Sequence, residues 1–272
     1  MLSEIRKIVS NDKEVKKWSI PDTSLLLVYN YILVRDGKKE SQVPDGYKLV
    51  LEREPYFRTV LVPTPEKKKE IEFQKSREMI DTLGTDNFIL DVDIKDFDLF
   101  TEERKKANDY ALKFLSSYKE GKGHKGMLLV GKYRTGKTFL MSAIANELIK
   151  LNSSVLFVYF PDLVRIIKDS IGDNSLEEKV TTLKRCDCLF LDDLGAENMN
   201  SWFRDEILGP VLQYRLTASL PVFISTNYSS KELAALLAEG KNELDRVKST
   251  RILTRINELT QSFILSEPKL DK

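Results

Sequence analysis

The sequence predicts an α/β protein: a five-stranded, mainly parallel sheet covered by helices on both faces, with a small β-rich domain at the N-terminus. Three observations predict it. Five short apolar runs, Met127–Val130, Val155–Phe160, Cys188–Leu191, Val222–Ser225 and Phe263–Leu265, are separated by longer helical or loop segments, an order that calls for parallel strands with crossover helices. The first run leads straight into a Gly-x-x-x-x-Gly-Lys-Thr loop, Gly131 to Thr138, the pattern of a phosphate-cradling turn. Residues 1–65 instead carry β-branched and aromatic runs, Leu25–Val34, Tyr47–Leu51 and Tyr56–Val62, punctuated by Asp36-Gly37 and Pro44-Asp45-Gly46, which reads as short antiparallel strands.

Taken in order, the N-terminal domain spans 1–65 and ends where Pro63 and Pro65 break the pattern. Residues 66–94 read as a linker or exposed helix, with Lys67-Lys68-Lys69 on a solvated face. The third region is 95–272. Its first helix starts near Thr101, because Ala107, Tyr110, Ala111, Phe114 and Leu115 recur at helical intervals. Later helical patterns cover Phe139–Leu151, Asp162–Ile171, Ser175–Lys184, Trp202–Leu216, Ser230–Leu237 and Thr250–Leu259.

Composition excludes several classes. The 272 residues carry 43 Lys plus Arg against 42 Asp plus Glu, a net charge of +1, and 42% are hydrophobic. That is a soluble globular balance, and it argues against binding DNA by bulk positive charge. Cys186, Cys188 and His124 are the only soft or imidazole donors, too few for a four-ligand Cys/His zinc site, so no zinc is expected. The two cysteines share a strand face about 6–7 Å apart, at the edge of disulfide reach, and free thiols in a reducing compartment are the expectation. His124, within the basic run 121–126, reads as a solvated loop residue. The opening MLSEIRKIVSNDKE lacks the apolar core of an export signal, and Leu25–Val34 is shorter than the roughly 20 residues of a membrane helix. A cytoplasmic protein with no membrane partner is expected.

Chemistry concentrates at three strand ends. In Gly131-Lys-Tyr-Arg-Thr-Gly136-Lys137-Thr138 the glycines let successive N–H groups turn toward phosphate oxygens, and the following helix adds its dipole. Lys137 would reach the β- and γ-phosphates of ATP, and Thr138 would hold Mg²⁺. Nucleotide contact is therefore expected at Gly131, Tyr133, Arg134, Thr135, Gly136, Lys137, Thr138 and Phe139. The run Cys188–Leu191 ends in Asp192-Asp193: the first carboxylate suits the metal and the second the attacking water, with a plain turn as the alternative. Glu197 is a further candidate for the water. Pro221–Thr226 delivers Asn227 to the same edge, where an amide can bond γ-phosphate or water, or simply form a turn. Arg251 and Arg255 lie four apart on one helix face, suited either to a transferred phosphoryl group, often a neighbouring subunit's, or to solvation.

With these pieces the sequence resembles AAA+ ATPases of the helicase-loader and initiator branch, specifically the bacterial replicative helicase loaders of the DnaI and DnaC type. The resemblance covers residues 95–266, and its most specific stretch is Leu191-Asp-Asp-Leu-Gly-Ala-Glu197, Trp202-Phe-Arg-Asp-Glu-Ile-Leu-Gly-Pro210, Tyr214-Arg215 and Ser225-Thr-Asn227. It implies Walker A roles for Lys137 and Thr138, Walker B roles for Asp192 and Asp193, a sensor-1 role for Asn227 and an arginine finger at Arg255. Two departures stand out. Residues 1–65 contain neither Cys nor His, unlike the zinc-binding domain of DnaI-type loaders, and the tail after Leu265, Ser-Glu-Pro-Lys-Leu-Asp-Lys, offers no sensor-2 arginine.

What the resemblance implies is an ATPase, weak alone, that binds ATP or ADP with Mg²⁺, self-associates through its AAA+ interface and loads a hexameric replicative helicase onto single-stranded DNA. The strand would meet the extra helical segment at Pro161–Lys184 through Arg165, Lys168, Lys179 and Lys184, although Asp169, Asp173, Glu177 and Glu178 also fit a solvated helix pair. Two rivals are a transposase helper of the IstB type and an adaptor switched by ATP without hydrolysis.

Overall fold

A computed structural model describes residues 2–40, 43–68, 70–71, 74, 89–119, 125–172, 174–197, 199–238 and 243–266. His124, Lys69, Asp173 and residues 267–272 of the tail lie outside them. The chain divides into two compact units, Met1–Glu72 and Phe73–Lys272. Of the expected 66–94 linker, residues 66–68 are helical, and 75–88 lie outside the described residues.

The first unit is not β-rich. It contains helix α1 (Leu2–Asn11), helix α2 (Asp22–Arg35) and one antiparallel hairpin, β1 (Tyr47–Glu52) with β2 (Arg58–Pro63). The run Leu25–Val34, expected as a strand, lies within α2. A continuous apolar stretch has no periodicity to separate strand from helix, and length arbitrates. Here Pro21 stands at the N-cap, Asp22 lies in the first turn and Arg35 in the last, charges that complement the helix dipole. Leu25, Val28 and Ile32 then fall on one buried face and pack with Ile5, Val9, Val15 and Leu51. Arg35 closes this unit by bonding the carboxylates of Asp12, Glu14 and Asp36.

In the second unit the strands β3 (Gly126–Val130), β4 (Val155–Tyr159), β5 (Cys188–Asp192), β6 (Val222–Thr226) and β7 (Thr260–Ile264) form one sheet in the order β4-β5-β6-β3-β7. All four pairings are parallel. The apolar runs are unbroken because both faces are covered. Met127, Leu129, Val155, Phe157, Cys188, Phe190 and Phe223 pack against α3 (Glu102–Lys119) and α4 (Lys137–Lys150). Their neighbours Leu128, Leu156, Val158, Leu189, Leu191, Val222 and Ile224 face the opposite core. That second layer is built from α5 (Phe160–Asp169), α6 (Leu176–Arg185), α7 (Gly209–Thr217), α8 (Ser230–Leu237) and α9 (Glu243–Leu259). Phe157, Phe190 and Phe223 stack across three strands at centroid distances of 5.4 and 4.4 Å. Both cysteines are buried free thiols.

The stretch Trp202–Leu216, expected as one regular helix, contains a wide π turn, Phe203–Leu208, before α7. Pro210 at the junction has no N–H for the regular i to i−4 bond, which accounts for the displaced pattern. Two arginines of the same stretch are fully buried. Arg204 bonds Asp205, Asp245 and the carbonyl of Leu237. Arg215 donates to the carbonyls of Leu183, Cys186, Asp187 and Pro221, so it caps the end of α6 and ties it to the start of β6.

Candidate functional site

The parallel strands deliver their carboxyl ends to one edge, where an open α/β sheet holds its ligands. The loop after β3 is anchored by the Gly131 N–H bonding Thr226 O at 3.1 Å, and a Cβ on Gly131 would collide with the carbonyl of Leu265. Thr135 Oγ1 bonds Lys132 O across the loop at 3.0 Å. Gly136 adopts φ +87°, the left-handed conformation that starts α4 directly behind the loop. Phe139 lies in the first turn of α4, Tyr133 is exposed and Arg134 sits at φ +64°.

Lys137, only 5% exposed, aims its ammonium into the loop and donates to Gly131 O and Lys132 O at 2.8 Å and to Asn227 Oδ1 at 2.7 Å. Burial pulls its pKa below the ordinary lysine value, and the charges of Asp193 and Asp192 oppose that pull. Thr138 Oγ1 donates to Asp192 at 2.9 Å. The loop, acidic strand and polar strand, expected at one edge of the sheet, are therefore one bonded group. Asp193, at φ +59°, lies beside it, with Asn227 Nδ2 a long 3.5 Å from its carboxylate. Burial raises its pKa, the Asp192 charge adds to the rise, and Lys137 and Asn227 hold it back.

Two residues of this edge carry roles that sequence reasoning missed. Ser225, fully buried at the end of β6, donates to Asp192 Oδ1 at 2.5 Å and accepts from the Asp193 N–H at 2.8 Å. The serine fixes both carboxylates at once. Two polar residues, Ser225 and Thr226, ending an otherwise apolar strand were the available signal. Arg104, on α3 and 5% exposed, donates to the carbonyls of Thr135 in the loop and of Asp98 ahead of α3. Nothing in its helical spacing marks that role.

The other predicted residues are placed elsewhere. Glu197 is exposed beyond the turn that follows Asp193. Arg255 lies on α9, where it bonds Gln213 Oε1 at 3.0 Å and Gly209 O at 3.1 Å, outside the group around Lys137. With Arg246, Arg251 and Glu258 it lines an open hollow of about 450 Å³. On α5, Arg165 pairs with Asp162 and Lys168 is exposed; on α6, Lys179 bonds Ser170 Oγ and Lys184 is half-buried. Among the described residues no helix is long and apolar enough to cross a membrane.

The fold and this bonded edge define a P-loop ATP-binding protein of the AAA+ type. A family model described as IstB-like ATP binding protein matches residues 67–258, and the chain belongs to that family. The chain is 39% identical to the replicative helicase loader DnaI of Bacillus subtilis over 71% of its own length and 62% of that protein's, so it spans less than two thirds of this relative. A crystal structure of DnaI superposes with a TM-score of 0.61 at 41% identity, covering 66% of this chain and 94% of that one. AMPPCP-bound DnaA from Aquifex aeolicus, at 15% identity and a TM-score of 0.55 over 66% of this chain and 51% of that one, shares the fold alone.

Proposed function

We propose that this chain is an ATP-hydrolysing loader that places a hexameric replicative helicase on single-stranded DNA during replication initiation or restart. The observation that carries this reading is the 41% identity to DnaI across 94% of its solved chain. ATP or ADP would lie along Gly131–Thr138, with Lys137 at the outer phosphates and Asn227 beside the γ-phosphate. A threonine hydroxyl 2.9 Å from a carboxylate is a hard-oxygen pair that fits Mg²⁺, so Thr138 and Asp192 would hold it. Bound there, the ion neutralises phosphate charge. Asp193, with its pKa raised by burial, is suited to accept a proton from the attacking water while Asn227 orients it.

Arg255 lies outside this chain's own phosphate site, which supports a finger given to a neighbouring copy through the AAA+ interface and weak turnover by the isolated chain. Arg165, Lys168, Lys179 and Lys184 are the candidates for local contacts with single-stranded DNA in the cytoplasm. A second reading, an IstB-type helper of a transposase, is favoured by the family model itself. The presence of Asp193 and Asn227 beside Lys137 counts against an adaptor that binds ATP without hydrolysis.

Size-exclusion chromatography with light scattering on the chain mixed with the host's replicative hexamer, with and without ATP, tests the reading. An ATP-dependent complex is expected. Absence of any complex, together with recovery of a transposase from extract, would replace the first reading by the second.

A further inference from the structure

Three arginines of the α7–α9 layer are held in three different ways. Arg251 on α9 is exposed and makes no hydrogen bond among the described residues. Arg204 is fully buried and neutralised by the carboxylates of Asp205 and Asp245. Arg255, half-buried at the hollow of about 450 Å³, is bound through two neutral oxygens: its Nε donates to Gln213 Oε1 at 3.0 Å and its Nη1 to Gly209 O at 3.1 Å. Its Nη2 makes no hydrogen bond among the described residues. The two acceptors lie one turn apart on α7 and so share a face. Glycine at 209 permits the approach, since a Cβ there would stand 3.3 Å from Arg255 Nη1 and 3.2 Å from Arg204 O. Gln213 is itself oriented: its Nε2 faces Thr217 Oγ1 at 3.4 Å, and that hydroxyl donates to Gln213 O at 3.0 Å. With the amide nitrogen turned to Thr217, the amide oxygen is left for the guanidinium. The wide turn ahead of α7 also grips the start of α9, where Lys248 bonds Asp205 at 2.6 Å and Arg204 bonds Asp245 at 3.1 Å. The frame behind Arg255 is therefore tied at both ends of α9.

We infer that Gln213, together with the Gly209 carbonyl, is the positioning residue that holds the Arg255 guanidinium ready for the phosphates of a nucleotide bound by a neighbouring copy. The inference rests on the finger reading of Arg255 given above and deepens it by assigning what aims the side chain. Neutral acceptors suit the task. An amide oxygen and a peptide carbonyl anchor two nitrogens of the guanidinium without cancelling its charge, whereas a carboxylate, as at Arg204, would neutralise it. A long side chain fixed before the encounter loses less rotamer freedom when the phosphate arrives. A charge already in place also stabilises developing charge without reorganisation. Nη2, unbonded within the chain, supplies the donor for a phosphate oxygen. Loss of the Gln213 amide therefore falls on turnover in the neighbour's site and spares nucleotide binding in its own, which lies at the edge around Lys137.

The experiment is steady-state phosphate release by the full chain mixed with the host's replicative hexamer, over a range of ATP concentrations. Gln213→Met removes the amide while keeping the length of the side chain, and because Gln213 is exposed the core is untouched; Gln213→Ala serves as a second variant. Either is expected to lower kcat at least fivefold with KM for ATP within twofold of wild type. In an Arg255→Ala background the same substitution should cause no further loss, since it acts only through the guanidinium. Mixing supplies the readout that a structural defect would not move. Excess Lys137→Ala chain, which keeps Arg255 and Gln213, should raise the rate per Gln213→Met subunit at least threefold, as it should for Arg255→Ala. A wild-type kcat in both Gln213 variants overturns the inference and leaves the finger reading standing. So does a further loss in the Arg255→Ala background, or rescue by Lys137→Ala of the Arg255 variant but not of the Gln213 variants. Wild-type hydrolysis by Arg255→Ala, or no rescue of it by Lys137→Ala, would remove the finger reading itself and the inference with it.

Discussion

At the carboxyl edge of the sheet, Lys137, Thr138, Asp192, Asp193, Ser225 and Asn227 are linked to one another by hydrogen bonds, while on the outer face of α9, Arg246, Arg251 and Arg255 line an open hollow. The edge is drawn together from three separate strands; the face is one helix surface, and Arg255 there is held by Gln213 and Gly209. The difference teaches what each region can do alone. The proposed phosphate site lies within one chain, whereas in the same proposal a guanidinium on α9 would meet a phosphate only if another molecule presented it.

Four substitutions sharpen or break that comparison. The largest effect on nucleotide affinity is expected from Lys137→Ala, which removes the ammonium bonded to Gly131 O, Lys132 O and Asn227 Oδ1. A fluorescent-nucleotide titration should show affinity reduced at least about 100-fold, or about 2.8 kcal/mol; normal affinity would dissolve the edge as a site. Next is Arg255→Ala, expected to leave nucleotide affinity nearly intact while lowering hydrolysis by the assembled protein about 10³-fold. Doped into wild-type protein, it should suppress hydrolysis more than dilution does, and unchanged turnover per wild-type subunit would return Arg255 to a purely local role.

Asp193→Asn is expected to keep nucleotide binding and to lower phosphate release about 10²-fold. The sign of the pH dependence follows from its raised pKa: the carboxylate accepts a proton only when ionised, so hydrolysis should fall on the acid side at a pH above the ordinary aspartate range. Burial of that charge costs stability as pH rises through the raised pKa, so Asp193→Asn should melt no lower than the wild-type chain near neutrality. Ser225→Ala should have the smallest effect, about tenfold in hydrolysis, because it loosens both carboxylates without removing either. A rate equal to wild type would mean that the strand backbone alone sets Asp192.

How much of this was legible in the sequence varies from residue to residue. Gly131 to Thr138 could be read because the phosphate loop is a local device, with strand, turn and helix start contiguous in the chain. Asp192 and Asn227 were legible as polar residues ending apolar runs. Leu25–Val34 was misread, because a run with no polar interruption fits either period until its partners are known. Arg204 and Arg215 stood out as part of a diagnostic string, but their burial and their carbonyl partners were invisible. A charged residue is ordinarily assigned to solvent unless its partners are known.

The sequence by itself determined the alternation of strands and helices beyond residue 100, the phosphate loop and the carboxylates at the strand ends, since each depends on periodicity or spacing within a few residues. Tertiary structure decided which of those polar groups meet. Lys137 reaches Asn227 and Thr138 reaches Asp192 only because the order β4-β5-β6-β3-β7 places distant segments side by side, and Arg104 reaches Thr135 because α3 packs against α4 and β7. Hydrogen bonds act over about 3 Å, and no local pattern along the chain encodes a separation that small between residues so far apart in sequence.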